Sequence, residues 1–311
     1  PFDVCIVATG SVNNTFGVDG ADQFALPMKS VEQCQVIARK LHRASLSHRT
    51  TRVTVVGAGI EGVEAFGEVM RAYRHRPQFE FNIVDGSEHL LSRSPGHLDG
   101  KIRSHTDGYR VEYHLGKKVE SVDHEGICLA DGGAIESDIT IWSTGAAPNG
   151  FLQRSYLTQA NHEWASVNPY FQSEARENVF IIGDAANPEG MPLAKQAFHA
   201  IDMGKAAAQN VERLLTGKAM RAFQPSNKPQ VVTFGDLDTF MLFKDFAVSS
   251  SVLGAAKEAI YSAALFQKAM GNSTEAIKNY ELFIRSFPDD ERISDVKLTI
   301  GKILEKHQKW P

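Results

Sequence analysis

Apolar residues gather along this chain in short unbroken runs, and most of the runs end in glycine. Val53-Thr-Val-Val56 leads into Gly57-Ala-Gly59-Ile-Glu-Gly62, and from Val63 to Tyr73 the pattern turns to a helical period. Phe81-Asn-Ile-Val84 ends at Asp85, Ile139-Thr-Ile-Trp142 at Ser143-Thr144-Gly145, and Asn178-Val-Phe-Ile-Ile182 at Gly183-Asp184. The first residues repeat the theme: Asp3 to Ala8 reads as a buried strand closed by Thr9-Gly10. Apolar runs of this length bounded by turn residues predict strands covered on both faces, as in a parallel sheet.

The intervening segments supply other elements. Ser11 to Pro27 reads as a polar loop. Ser30-Val-Glu-Gln33 has the spacing of a capping box and opens a helix over Val31 to Ala44, with apolar positions at Val31, Cys34, Ile37, Ala38 and Leu41. Residues 45–52 form a basic, Ser/Thr-rich connector. Tyr109 to His114, Lys118 to Val122 and Gly126 to Ala130 alternate as short strands do, and Asp131-Gly132 is a tight hairpin signal. Together they predict a three-stranded β-meander inserted as a crossover. A long helix is expected from Ala194 to Leu215, stopped by Gly217, then β-rich chain from Phe223 to Phe246 containing Val231 to Phe234 and Thr239 to Phe243. Helical patterns cover Leu253 to Met270, Thr274 to Phe287 and Ile293 to Lys306, with Pro288 breaking the last two apart. The two final helices could form one helical-repeat unit, but one unit cannot bury its own face.

Length and composition narrow the class. A chain of 311 residues suggests two domains, or one large domain with an appendage. A net charge of −4 gives no reason to expect nucleic acid. The three cysteines, Cys5, Cys34 and Cys128, contain no CxxC, so neither a redox dithiol nor a metal site is indicated, and a reducing, cytoplasmic setting is expected. No apolar run approaches the roughly 18 residues of a membrane-spanning helix. Pro1 followed by a strand at Val4 to Val7 suggests a cut through a longer protein.

The glycine turn carries the chemistry. Gly57 permits a tight turn after a strand, Gly59 lets the backbone approach a pyrophosphate, and Gly62 lets the next helix pack closely. The helix N-terminus then presents free N–H groups to phosphate. Asp85 lies 26 residues past Gly59, where a carboxylate accepts hydrogen bonds from ribose hydroxyls and repels a 2′-phosphate. The bland alternatives are a plain strand-turn-helix and an Asp-Gly turn. NADH is expected over NADPH, although Arg93 and Arg103 lie close enough in sequence to keep NADPH open.

Ala8-Thr9-Gly10, the glycine turn, Ser143-Thr144-Gly145 and Val179-Phe-Ile-Ile-Gly183-Asp184-Ala185 occur in the order that resembles the FAD-dependent pyridine nucleotide oxidoreductases with two dinucleotide-binding domains. The absent CxxC points away from disulfide reductases. The chain looks most similar to type II NADH dehydrogenases and ferroptosis-suppressor-like quinone reductases. The resemblance implies an α/β fold, with a Rossmann-like NAD(H) domain (51–145) inserted in an FAD domain (1–50 and 146–222). A C-terminal domain (223–271) and a helical tail (272–311) follow. Only the later FAD-contacting pieces fall within this chain, because the family's first GxGxxG has no counterpart before residue 53.

By the same resemblance, FAD and NADH are the cofactors, and a quinone or similar acceptor receives the electrons. Thr9, Gly10, Gly145, Gly183 and Asp184 belong to the flavin side, with Asp184 as ribityl ligand. Gln196 and Ala197 face the pyrimidine ring, and Lys195 joins them as a catalytic candidate; its alternative is a solvated lysine. Glu64, expected in the first turn of its helix, would approach the nicotinamide; its alternative is a carboxylate stabilising a helix N-terminus. For Asp184 the alternative is a helix N-cap. Phe240 to Phe243 and the stretch Leu253 to Phe266 could rest on a membrane surface, or form a domain core or a homodimer face. A non-catalytic NAD-binding module and a partner-binding protein stay open as other functions.

Overall fold

The computed structural model describes residues 2–95, 98–158, 163–226, 230–250, 263–287, 290 and 292–306. It contains two compact units. The first comprises Pro1–Gly62, Arg76–His89 and Arg110–Lys228, the second Val63–His75, Leu90–Tyr109 and Pro229–Pro311.

In the first unit, five strands form a parallel sheet in the order Ala25–Pro27, Ile139–Trp142, Thr51–Val56, Phe79–Asp85, Val111–Leu115. Val53, Val55, Ile83, Val84 and Ile141 are almost fully buried, which accounts for the unbroken apolar runs. Two expectations change here. The 11–27 segment is not all loop: it holds a strand Ser11–Asn13, a short helix Ala21–Phe24 and the edge strand Ala25–Pro27, so part of the expected 1–50 segment joins the sheet that contains Thr51–Val56. And Val111–Leu115 does not belong to the meander. It pairs in parallel with Phe79–Asp85 as the opposite edge of this sheet. An edge strand is half-buried, so its pattern alternates like that of an antiparallel strand.

The meander itself consists of Val119–Val122, Gly126–Leu129 and Ala134–Glu136. Its Val122, Ile127, Leu129 and Ile135 share a core with Val56, Val84 and Trp142 of the parallel sheet. Helix Val31–Ser45 begins at the expected capping box: the Ser30 side chain accepts the Gln33 N–H and the Gln33 side chain accepts the Ser30 N–H.

A second five-stranded sheet has the order Cys5–Val7, Arg176–Ile181, Gln172–Ser173, Ala165–Val167, Ala186–Pro188. Only the first two were legible as strands; the others are two or three residues long. The core beneath it gathers Val7, Leu152, Phe171, Phe180, Met203, Ala207 and Phe223. An antiparallel ribbon of Ser11–Asn13 with Ala146–Pro148 follows directly on Thr9-Gly10 and on Ser143-Thr144-Gly145.

The second unit carries a three-stranded antiparallel sheet, Gln230–Phe234, Asp238–Leu242 and Ala247–Ser249. Gly67 and Gly235 let the helix that ends at Tyr73 touch the first hairpin of this sheet. A Cβ on Gly67 would fall 2.5 Å from the Gly235 nitrogen, and Phe66 stacks on Phe234 close by. In the same turn Asp236 pairs with both terminal nitrogens of Arg74, at 2.6 and 2.8 Å. Helical residues 263–269 and helices Ser273–Ser286 and Ile293–Lys306 pack around Ala264, Ala276, Tyr280, Phe283, Val296 and Ile303. Phe240 and Leu242 are buried in a core, whereas Met241 and Phe243 alternate with them and are half-buried, Met241 between the exposed Val231 and Val248. Most of the expected helix from Leu253 lies outside the described residues. No helix among the described residues is long and apolar enough to cross a membrane.

Candidate functional site

The glycine turn leaves the sheet between Thr51–Val56 and a helix that begins at Ile60. Gly57 adopts φ of +109°, a region that disfavours side chains. A Cβ there would press on Ser143 Oγ and Thr144 Cγ2, both at 2.7 Å. Gly62 is tighter still: its Cβ would lie 1.9 Å from the Gly57 carbonyl oxygen. Gly59, by contrast, is exposed and faces open space. Two of the glycines therefore close the turn, and the third leaves its backbone accessible.

Asp85 is fastened to that turn. Its Oδ2 accepts the Ala58 N–H at 2.7 Å and its Oδ1 accepts the Ser87 N–H at 2.6 Å. The second bond is the Asp-Gly turn of the bland reading, so both readings of Asp85 describe the same geometry. Each carboxylate oxygen keeps a further lone pair for a ribose hydroxyl. Glu61, in the first turn of that helix, is neutralised by Lys29, whose ammonium reaches both carboxylate oxygens, Oε2 at 2.6 Å. Thr144 Oγ1, beside Gly57, is shielded from solvent without a partner among the described residues. The turn thus offers a phosphate free backbone donors, with its one carboxylate already countered. The residues fit the pyrophosphate and ribose of a dinucleotide.

A second constellation lies on the other sheet of the same unit. Gly183 has φ of +65° and opens a 3-10 turn, Gly183–Ala185. Asp184 is not an N-cap there; its Oδ2 accepts the Ser11 hydroxyl at 2.8 Å. Gln196 occupies the N-cap position of helix Ala197–Leu215 without a side-chain bond, which leaves the first-turn N–H groups of that helix uncapped. The expected start at Ala194 moves three residues on, so Lys195 precedes the helix.

The Lys195 ammonium donates to the Ala186 carbonyl at 2.5 Å and lies 4.2 Å from the centre of the Trp164 ring. Burial pushes its pKa below the usual lysine range, against the pull of the Asp184 charge. The solvated-lysine alternative gives way to this half-buried placement. A narrow cavity runs between Gly183, Asp184, Ala186, Lys195, Gln196 and His199. Uncapped N–H groups, a half-buried cation and a carboxylate whose Oδ1 has no hydrogen-bond partner among the described residues fit the pyrimidine and ribityl portions of a flavin.

The remaining candidates fall elsewhere. Thr9 is exposed after strand Cys5–Val7, and Gly10 turns with φ of +63°. Gly145 is glycine for a packing reason: its Cβ would fall 2.6 Å from the Phe16 ring. Glu64 lies beyond the first turn of its helix, because the helix starts at Ile60. Within the second unit its Oε1 accepts the Thr233 N–H at 3.0 Å and the Thr233 hydroxyl at 3.3 Å, a bond that replaces the helix-terminus alternative. Arg103, also there, is bound to Asp99 at 2.8 Å. Sequence reasoning missed Ser11, Lys29 and Trp164. Ser11 and Asp184 are 173 residues apart, so no local spacing could join them.

Residues 1–204 match the sequence profile of the pyridine nucleotide-disulphide oxidoreductases. Among curated proteins, the type II NADH:quinone oxidoreductase Ndh of Mycobacterium tuberculosis is 29% identical over 246 residues, covering 70% of this chain and 52% of that protein. The type II NADH:quinone oxidoreductase of Staphylococcus epidermidis is 22% identical over 261 residues, covering 76% and 64%. The chain thus spans between half and two thirds of these relatives. Among solved structures, NDH2 from Plasmodium falciparum in complex with NADH superposes with a TM-score of 0.71 at 14% identity, over 92% of this chain and 78% of that one. Reduced CoADR-RHD from Bacillus anthracis gives 0.63 at 19% identity, over 77% and 42%. At these identities the structural matches establish a shared fold.

Proposed function

The chain belongs to the pyridine nucleotide-disulphide oxidoreductase family, and from that premise we propose that it is an FAD-dependent NADH oxidoreductase whose electrons pass to a quinone-type acceptor. The observation that carries the proposal is the bond between the Ala58 N–H and Asp85. It fixes a phosphate-accepting turn and a ribose-accepting carboxylate in one piece, as dinucleotide binding requires. The function of the sequence relatives, NADH:quinone oxidoreductase, supports the choice of acceptor.

In this reading Gly57, Gly59 and Gly62 hold the pyrophosphate of NADH and Asp85 its adenosine ribose. Thr9, Gly10, Gly145, Gly183 and Asp184 line the flavin side, as domains 1–50 and 146–222 around an NAD(H) domain at 51–145. Bound FAD would supply what no side chain here can, a ring that accepts a hydride and relays electrons onward. Lys195 and the N–H groups at Gln196 and Ala197 place positive potential where negative charge gathers on reduction. The assignment of Glu64 to the nicotinamide rests on family resemblance. The reading also carries a cytoplasmic location, peripheral attachment to a membrane face and a homodimer, since a quinone is met at a bilayer surface.

The test is NADH oxidation by the purified protein supplied with FAD and a soluble quinone. Turnover that requires both FAD and the quinone is the expected result. NADH that binds without being consumed would end the proposal in favour of a regulatory module.

A further inference from the structure

The strand Phe79–Asp85 is followed by a second carboxylate. Glu88 lies three residues past Asp85, and its side chain rests on the backbone of Gly116. A Cβ built on Gly116 would fall 2.7 Å and 2.8 Å from the two Glu88 oxygens. Gly116 turns with φ of +70° and donates its N–H to Ser87 O at 2.8 Å, while the Lys117 N–H donates to Asp85 O at 2.9 Å. The turn after Val111–Leu115 is thereby stitched to residues 85–87. A notch opens where residue 116 lacks a side chain, and the Glu88 carboxylate occupies it.

The nearby cations are placed unequally. The Lys117 ammonium is paired with Asp131 in the meander hairpin. The stem of Lys118 runs along Gly86, its Cγ 3.6 Å from where a Cβ would stand. Glu88 has no cationic partner among the described residues. The strand end therefore presents two carboxylates, with one neighbouring lysine already committed to a third.

We propose that Glu88, seated over Gly116, is a specificity-determining residue that works with Asp85 to exclude the 2′-phosphate of NADPH. The inference rests on the reading of Gly57 to Asp85 as an NADH site. A 2′-phosphate brings about two negative charges toward this strand end at neutral pH. NADH brings a hydroxyl instead, which either carboxylate can accept. Asp131 acts indirectly, by holding the one lysine whose backbone bonds to Asp85. Lys118 is the competing group, since its ammonium could reach a phosphate beside Gly86.

Equilibrium titration of the purified chain with NADH and with NADPH at one fixed salt concentration tests this, on wild type, Glu88→Gln and Lys118→Met. The wild type is expected to prefer NADH. Glu88→Gln should tighten NADPH by about fivefold while NADH stays within about twofold, the size of one screened like-charge contact. Lys118→Met should leave the ratio unchanged. NADH binding with the same ratio in Glu88→Gln would overturn the role of Glu88 alone. Loss of NADPH binding in Lys118→Met would overturn it too, by showing that Lys118 captures the phosphate. Binding of neither coenzyme to the wild type would overturn the site reading and the inference together.

Discussion

The backbone N–H of Ala58 donates to the carboxylate of Asp85 at 2.7 Å, tying the glycine turn to the end of the neighbouring strand. In the proposed NADH site, ligand recognition and local stability therefore meet in one side chain. Asp85→Ala removes a ribose acceptor and leaves the Ala58 and Ser87 N–H groups without their partner. NADH affinity should fall about tenfold, and stability by about 1–2 kcal/mol. Calorimetric titration with NADH and urea unfolding of the same variant check the two halves separately.

Gly62→Ala should be far more damaging. The new Cβ would meet the Gly57 carbonyl at 1.9 Å, and backbone on both sides cannot give way as a flexible side chain can. A destabilisation of about 3 kcal/mol or more is expected, with loss of NADH binding. Gly59→Ala, at an exposed position facing open space, should fold as the wild type does and lose NADH affinity only. Circular dichroism melts beside NADH titrations separate the two.

The ion pair of Arg74 with Asp236 predicts a particular acid response in the second unit. The hydrogen bond from Arg74 lowers the Asp236 pKa below the usual carboxylate range. A depressed carboxylate pKa means that the contribution is present above the unfolded value of about 4 and is lost as pH falls through the folded value. Because Asp236 is partly exposed, solvent screening holds the contribution to about 1 kcal/mol. Asp236→Asn should lower stability by that amount at neutral pH, and the two unfolding curves should converge in acid.

Lys195 has the opposite sense. Burial depresses its pKa, so the charged form opposes folding at neutral pH. The opposition fades as pH rises through the folded value toward the unfolded value of about 10.4. Solvent screening of this half-buried group and loss of its bond to the Ala186 carbonyl keep the net gain small, so Lys195→Met should gain stability relative to wild type at neutral pH and lose that advantage in alkali. Urea unfolding of both proteins at the two pH values tests the sign.

The central parallel strands Thr51–Val56, Phe79–Asp85 and Ile139–Trp142 were legible because burial on both faces writes them as unbroken apolar runs, and the capping box because its signal spans four residues. Val111–Leu115 was assigned to the meander because an edge strand in a parallel sheet alternates as an antiparallel strand does. Strands such as Ala165–Val167 and Ala186–Pro188 escaped notice because three residues cannot show a period. At the site, Gly57, Gly59, Gly62 and Asp85 were readable because the turn and its strand are local. The Ser11–Asp184 bond, the Lys29–Glu61 pair and the Trp164 ring over Lys195 join residues distant in sequence, and only the fold brings them together. Glu64 was placed one turn too early because the helix begins inside the glycine motif, at Ile60.

The central claim is that the turn at Gly57 to Gly62 delivers reducing equivalents from NADH. Following the nicotinamide absorbance of NADH, with FAD and a soluble quinone present, tests it most directly. NADH consumption in step with the quinone added is expected, slowed about tenfold at limiting NADH in Asp85→Ala. An absorbance that stays constant while calorimetry shows NADH bound, or a rate unmoved by Asp85→Ala, would contradict it.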